Sequence, residues 1–155
     1  MTTHRTASFR HTPKKAGCLL MALGFLASTH AIAEESPTYP DAYMKSHPQT
    51  QQAFQSAIKP LIRQHKWLTR YGTMSPVGKY EQDGLIYTVL SGCKPHDCST
   101  ENYVALVDIR SNVRGALVRQ DQRANGNASS TTFSWFGNVD DSARTLILKA
   151  YTEAQ

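Results

Sequence analysis

The sequence predicts an α+β fold: a central antiparallel β-sheet of about five strands, with N-terminal and C-terminal helices packed beside it. Apolar residues recur with helical spacing in segments 54–62 and 143–151, near the two ends of the chain. Runs rich in β-branched and aromatic residues lie between these segments. The links between those runs are short, which favours antiparallel neighbours over parallel strands joined by crossovers.

The first 33 residues have the composition of a secretory signal peptide. They contain four basic residues and no acidic residue, then an uncharged and mostly apolar run at 16–28, and Ala31-Ile32-Ala33 as a small-x-small cleavage site. The apolar run is shorter than the ~20 residues that a membrane-spanning helix needs. We therefore predict a cleaved signal peptide at residues 1–33, a single domain at residues 34–155, and no membrane association after cleavage.

Cleavage changes the charge of the chain. The whole sequence has 17 Lys and Arg against 12 Asp and Glu, a formal net charge of +5. After removal of residues 1–33 the chain has 13 basic and 12 acidic residues. Because nucleic-acid binding depends on an excess of positive charge, this balance predicts no nucleic-acid partner.

The N-terminal helical part is predicted between residues 41 and 72. A short turn of helix at 41–45 precedes a longer helix that begins near Ser46-His47-Pro48, where proline suits the first turn. Pro60 interrupts the following apolar stripe and predicts a kink or a break. We predict that His65 faces solvent and that Trp67 belongs to the core. The stripe consists of Phe54, Ala57, Ile58, Leu61 and Ile62.

Strands are predicted from residue 79 onward. Asp83-Gly84 predicts a hairpin turn between the first two strands, and residues 123–130 predict a polar loop before the last strand. Trp135 and Phe136 in that last strand are predicted core residues. The predicted strands are residues 79–81, 85–90, 103–109, 115–119 and 131–136.

A final helix is predicted after the sheet. Asn138 is its expected N-cap, with Asp140 and Asp141 in the first turn, where acidic side chains interact favourably with the helix dipole. Its apolar positions are Ala143, Leu146, Ile147, Ala150 and Tyr151.

The most distinctive chemistry lies in segment 91–100, between two predicted strands. Signal cleavage leaves Cys93 and Cys98 as the remaining cysteines, and two cysteines in an oxidising compartment form a disulfide. Such a disulfide closes a six-residue ring, in which Pro95 removes further backbone freedom beside His96. The ring presents four residues at its tip: Lys94, Pro95, His96 and Asp97.

Chemistry alone leaves three interpretations of this ring open. It is a stapled turn that stabilises only itself, a metal or redox site, or a rigid recognition loop that enters a partner's cleft. A structural zinc site needs four ligands, whereas this segment offers two thiolates and one histidine, and the C-x4-C spacing differs from the C-x-x-C of a redox dithiol. We therefore predict no metal and no cofactor. A preformed loop lowers the entropic cost of binding, which favours the third interpretation.

The run Cys93-Lys94-Pro95-His96-Asp97-Cys98 resembles the signature loop of the Ivy family, the inhibitors of vertebrate (C-type) lysozyme from bacterial periplasms. The signal peptide, Ser46-His47-Pro48 before the strands, and Trp135-Phe136-Gly137-Asn138 before the last helix agree with this resemblance. It covers roughly residues 38–152, and residues 123–130 have no assignable counterpart.

The resemblance implies an α+β fold and a mechanism in which the disulfide-closed loop enters the lysozyme cleft and blocks it. His96 would be the main inhibitory residue, Lys94, Pro95 and Asp97 would complete the tip, and Cys93 and Cys98 would be its staple. The protein would be periplasmic and would protect peptidoglycan against host enzymes.

No catalytic arrangement is recognisable in the sequence, which agrees with a binding protein rather than an enzyme. Two alternative functions remain: regulation of the cell's own lytic transglycosylases, and metal binding in the envelope through His96 and free thiols. The sequence leaves open whether the chain is a monomer or a homodimer.

Overall fold

A computed structural model describes residues 36–122 and 128–153. The predicted signal peptide and residues 123–127 of the predicted polar loop lie outside this range. In chain order the elements are α1 (Pro40–Ser46), α2 (Pro48–Ile58), a 3₁₀ helix (Lys66–Arg70), β1 (Thr73–Met74), β2 (Gly78–Gln82), β3 (Leu85–Cys93), β4 (Glu101–Val107), β5 (Val113–Gln122), β6 (Ala128–Gly137) and α3 (Asp141–Glu153).

The strands form one antiparallel sheet in the order β1-β3-β4-β5-β6, with β2 also paired to β3, on the same side as β1. The predicted α+β class is confirmed. The described part of the sheet has six strands where about five were expected. The additional strand is β1, whose two residues are too few to produce a recognisable sequence pattern.

Strand β4 is the centre of the molecule because both of its faces are buried. Tyr103, Ala105 and Val107 face a core built with residues of α1, α2 and the 3₁₀ helix. Val104 and Leu106, which alternate with them, face a second core built with residues of α3. The helices therefore cover opposite faces of the sheet, as the two-residue periodicity of a strand requires.

The predicted break at Pro60 is confirmed. Helix α2 begins at Pro48 and ends at Ile58, two residues before Pro60, whose ring cannot continue a helix. Leu61 and Ile62 lie beyond the helix end but still pack against the first core. The apolar stripe therefore predicted the burial of these two residues correctly, although they are not helical.

The predicted cap of the last helix is wrong. Helix α3 begins at Asp141, and the side chain of Asp140, rather than Asn138, accepts a hydrogen bond of 2.7 Å from the backbone N–H of Ala143. A carboxylate in this position satisfies a free N–H of the first turn and carries the charge that the dipole favours.

Strand ends also differ from the prediction. β4 stops at Val107 because the Asp108 carboxylate accepts hydrogen bonds of 2.9 Å from the backbone N–H groups of Arg110 and Asn112, which forms a turn. Ile109, predicted in the strand, is 89 % exposed. At the last strand, residues 128–130 were predicted in a loop but belong to β6.

The predicted hairpin turn is confirmed. Asp83 and Gly84 join β2 to β3, and both have positive φ, 53° and 75°, as a type I′ turn requires. Of the predicted core aromatics, Phe136 is buried, whereas Trp67 and Trp135 are partly buried against the two cores. Within the described residues, no helix has the length and apolar character needed to cross a membrane.

Candidate functional site

The segment that the sequence singled out is the connection between β3 and β4. The two strands pair up to Cys93 and Asn102, so residues 91–93 continue β3 and the loop itself contains residues 94–100. A disulfide joins Cys93 to Cys98, with their Cα atoms 4.8 Å apart. The predicted pairing of the two cysteines is therefore present, and both thiolates needed for a metal site are consumed. In the described part of the chain, no group of three or more His, Cys, Asp or Glu side chains is placed to hold a metal ion.

Backbone hydrogen bonds fold the loop onto itself. The N–H of Asp97 donates to the carbonyl oxygen of Lys94 at 2.9 Å, and the N–H of Glu101 donates to the carbonyl oxygen of Asp97 at 3.1 Å. The N–H of Lys94 donates to the carbonyl oxygen of Glu101 at 2.9 Å. These bonds and the disulfide constrain the loop through contacts that need no partner.

The two charged side chains of the loop pair with each other. Lys94 Nζ lies 2.9 Å from Asp97 Oδ2, and the Thr100 hydroxyl donates to Asp97 Oδ1. The hydrogen bonds from Lys94 and Thr100 hold the pKa of Asp97 below its usual value. The hydrogen bond to Asp97 and the charge of Glu101 raise the pKa of Lys94. Both groups are therefore charged at neutral pH, and Asp97 braces the loop from within.

His96 and Pro95 are the exposed residues between these paired charges. Both side chains face solvent, whereas Lys94 and Asp97 are partly covered. His96 has φ of +64°, in the left-handed region that a residue with a β-carbon rarely adopts. The surrounding bonds hold the backbone of His96 in this conformation, and its exposed imidazole lies at the tip of the loop.

The base of the loop is fixed to the 3₁₀ helix through Glu101, which the sequence did not identify. Glu101 is 7 % exposed, and its Oε1 accepts hydrogen bonds of 2.6 Å from His65 Nδ1 and from Trp67 Nε1. The prediction that His65 faces solvent is therefore wrong: its side chain is 13 % exposed because the buried carboxylate binds it. Two-residue alternation along β4, with Glu101 in phase with the buried Tyr103, is the sequence signal that places Glu101 inward.

The end of the 3₁₀ helix approaches β3 at two glycines. Gly72 has φ of +65°, and a β-carbon there would collide with the carbonyl oxygen of Cys93 and with the Trp67 ring. A β-carbon on Gly92 would lie 2.7 Å from the carbonyl oxygen of Tyr71. Because neither glycine has a side chain, the segment after the 3₁₀ helix can lie close to β3. Strand β1 therefore pairs with Cys93 and holds the start of the loop.

Comparison with known proteins adds a family. The model of the family described as "Inhibitor of vertebrate lysozyme (Ivy)" matches residues 49–152. Two proteins named "Inhibitor of vertebrate lysozyme", from Escherichia coli K12 and from Escherichia coli O157:H7, are each 27 % identical to the chain over 105 residues. Each alignment covers 63 % of this chain and 64 % of the relative. The matched part is therefore slightly less than two thirds of these relatives' length.

Proposed function

Because the chain belongs to the Ivy family of vertebrate lysozyme inhibitors, we propose that it inhibits C-type lysozyme by inserting the loop closed by Cys93 and Cys98 into the active-site cleft. One observation carries the proposal: His96 is exposed at the tip of a loop that its disulfide and internal hydrogen bonds already hold in shape. A preformed loop loses little conformational entropy on binding.

The chemistry of His96 suits the target. C-type lysozyme is a retaining glycosidase with two carboxyl groups, about 5–5.5 Å apart in enzymes of this class. A neutral imidazole donates one hydrogen bond and accepts another, so it can bind one ionised and one protonated carboxyl group. A protonated imidazole donates to both when both are ionised. His96 thus fits between the two groups in either protonation state.

The other loop residues take supporting roles in this proposal. Lys94 and Asp97 neutralise each other, so they add little net charge at the tip and serve mainly to hold it. Pro95, exposed beside His96, adds apolar contact with the cleft. The protein acts by occupying the cleft, without turnover of its own. We place it in the periplasm, after removal of residues 1–33, where it protects peptidoglycan from host lysozyme.

The test is hydrolysis of bacterial cell walls by a C-type lysozyme with the purified protein titrated in. We expect stoichiometric inhibition by the wild type and inhibition weakened by at least about tenfold in His96→Ala, a loss typical of a central interface residue. His47→Ala is the control for loss of an exposed histidine outside the loop. His47 stacks on the Tyr43 ring and lies 2.8 Å from its carbonyl oxygen, so we expect this variant to lower stability but not inhibition. Circular dichroism and the melting temperature verify that each variant is folded.

Equal inhibition by wild type and His96→Ala would contradict the role of His96. If the wild type itself does not inhibit lysozyme, the loop serves another partner, and lytic transglycosylases, whose clefts also use a carboxylate, are tested in the same assay.

A further inference from the structure

We propose that Glu101 is a positioning residue for the inhibitory loop: its side chain anchors the base of the loop to the 3₁₀ helix and so determines where His96 is presented. This inference rests on the proposed function. It extends the functional unit to His65 and Trp67, which lie outside the six-residue ring.

Glu101 contacts the loop through its main chain. Its N–H donates to the carbonyl oxygen of Asp97 and its carbonyl oxygen accepts from the N–H of Lys94, at 3.1 and 2.9 Å. Lys94 and Asp97 immediately flank Pro95 and His96. Any displacement of the Glu101 backbone is therefore transmitted to both sides of the exposed tip.

The same residue contacts the rest of the molecule through its side chain. Oε1 accepts both 2.6 Å hydrogen bonds, from His65 Nδ1 and Trp67 Nε1, and Oε2 lies 3.8 Å from Lys94 Nζ. Both donors come from the segment that begins the 3₁₀ helix, 36 and 34 positions earlier in the chain. A buried carboxylate is costly unless it is hydrogen-bonded and faces positive charge, and these three neighbours together satisfy both conditions.

The disulfide does not replace this anchor. The bond between Cys93 and Cys98 fixes the shape of the ring, but both cysteines belong to the β3–β4 connection itself. Contacts with other elements fix the position of the ring relative to the rest of the fold. On the β4 side, the main chain is held by β5, where Glu101 pairs with Arg119 and the N–H of Gln120 donates to the carbonyl oxygen of Thr100 at 2.7 Å. The Glu101 side chain adds the contact with the 3₁₀ helix, and the pairing of β1 with Cys93 holds the other end of the loop.

The experiment compares two substitutions of Glu101 in the protein expressed from the full chain. Glu101→Met removes the acceptor and keeps the side-chain length, whereas Glu101→Gln keeps an amide oxygen that accepts from His65 and Trp67. We expect Glu101→Met to weaken lysozyme inhibition by about fivefold or more at a temperature where it is fully folded, because the ring keeps its disulfide but loses the side-chain anchor that positions it. Glu101→Gln should retain inhibition within about threefold, since the two hydrogen bonds remain. Glu81→Met, at an exposed glutamate of β2, is the matched control and should inhibit like the wild type.

A second measurement does not depend on inhibition. The heteronuclear NOE of the His96 and Asp97 amides should fall in Glu101→Met and stay at the wild-type value in Glu101→Gln. If Glu101→Met proves too unstable to study, Trp67→Phe takes its place, since it removes one hydrogen-bond donor and keeps an aromatic ring. We expect this variant also to lower the heteronuclear NOE of the two amides.

The outcomes separate this proposal from the function it rests on. A folded Glu101→Met variant that inhibits like the wild type, while His96→Ala fails, overturns the positioning role and leaves the function intact. Absence of inhibition by the wild type overturns the function, and the amide relaxation then decides the positioning role by itself: unchanged values at His96 overturn it.

Discussion

At the scale of single residues, His96 combines an exposed imidazole with a backbone conformation that is unfavourable for any residue with a β-carbon. Its φ of +64° costs a residue with a β-carbon about 1–2 kcal/mol relative to a right-handed conformation. Strain of this kind persists where surrounding bonds over-determine the backbone, and it accumulates at binding sites. The disulfide and the hydrogen bonds from Asp97 and Glu101 provide that constraint here.

This conformation makes stability and function separable at one position. Glycine adopts positive φ freely, so we expect His96→Gly to leave the melting temperature unchanged or raise it slightly, because about 1–2 kcal/mol of relieved strain offsets the roughly 0.5–1 kcal/mol of added unfolded-state entropy. Inhibition should fall as much as in His96→Ala. Differential scanning calorimetry and the inhibition assay together check this; a melting temperature several degrees lower would show that the His96 side chain supports the fold.

The residues of the ring were identifiable from the sequence because they are contiguous and chemically unusual. Glu101 and His65 were not, because their contact spans 36 positions and forms only when β1 brings the end of the 3₁₀ helix beside β3. Local periodicity could place Glu101 on the inward face of β4, but it could not supply the partner that makes burial of a carboxylate tolerable. The predicted exposure of His65 was wrong for the same reason.

At the scale of elements, the site is one end of the β3–β4 hairpin. The long strands and the helices with apolar stripes were predicted, since their patterns extend over several turns or pleats. Their ends were predicted less well, because ends are decided by single side chains such as Asp108 and Asp140, and by cross-strand partners such as the one that extends β6 to Ala128. The hairpin's ladder of hydrogen bonds reaches Cys93 and Asn102, and the disulfide closes the ring beyond this end of the ladder.

The disulfide therefore affects the loop more than the sheet. In the Cys93→Ser/Cys98→Ser double variant we expect stability to fall by roughly 2 kcal/mol or less, the loop-closure entropy of a six-residue ring. A free energy of about 2 kcal/mol corresponds to a factor of about 30 in a binding constant. We expect inhibition to weaken by more than this factor, because the tip also loses its fixed conformation. Thermal melts and the cell-wall assay measure the two effects, and the double variant avoids exposing lysozyme to a reductant. A larger loss of stability than of inhibition would make the bridge primarily structural.

At the scale of the whole molecule, the near balance of charge predicts a small electrostatic contribution to the proposed binding of lysozyme. After removal of residues 1–33 the chain carries 13 basic and 12 acidic residues. At the loop, Lys94 is already paired with Asp97 and lies close to Glu101. Lysozyme is strongly basic, and a nearly neutral partner offers it little long-range attraction. In the proposed complex we therefore expect packing of the tip in the cleft to supply most of the affinity.

Association with lysozyme should therefore depend little on ionic strength. We expect the association rate constant, measured by stopped-flow fluorescence, to change by less than about threefold between about 50 and about 500 mM NaCl, whereas electrostatically steered pairs slow steeply over such a range. A decrease of tenfold or more would reveal a charged docking patch outside the loop.

Glu101 contacts the loop through its main chain and the 3₁₀ helix through its side chain, and this limits how small a fragment could be grafted onto another protein. A synthetic hexapeptide cyclised through Cys93 and Cys98 would contain the imidazole and the ring, but neither the main-chain bonds that Lys94 and Asp97 make to Glu101 nor the anchor beneath them. The smallest segment that could be grafted onto a scaffold therefore runs at least from Cys93 to Glu101. The scaffold must also supply two hydrogen-bond donors in place of His65 and Trp67. Grafting the ring alone would transfer the imidazole but not the contacts that orient it.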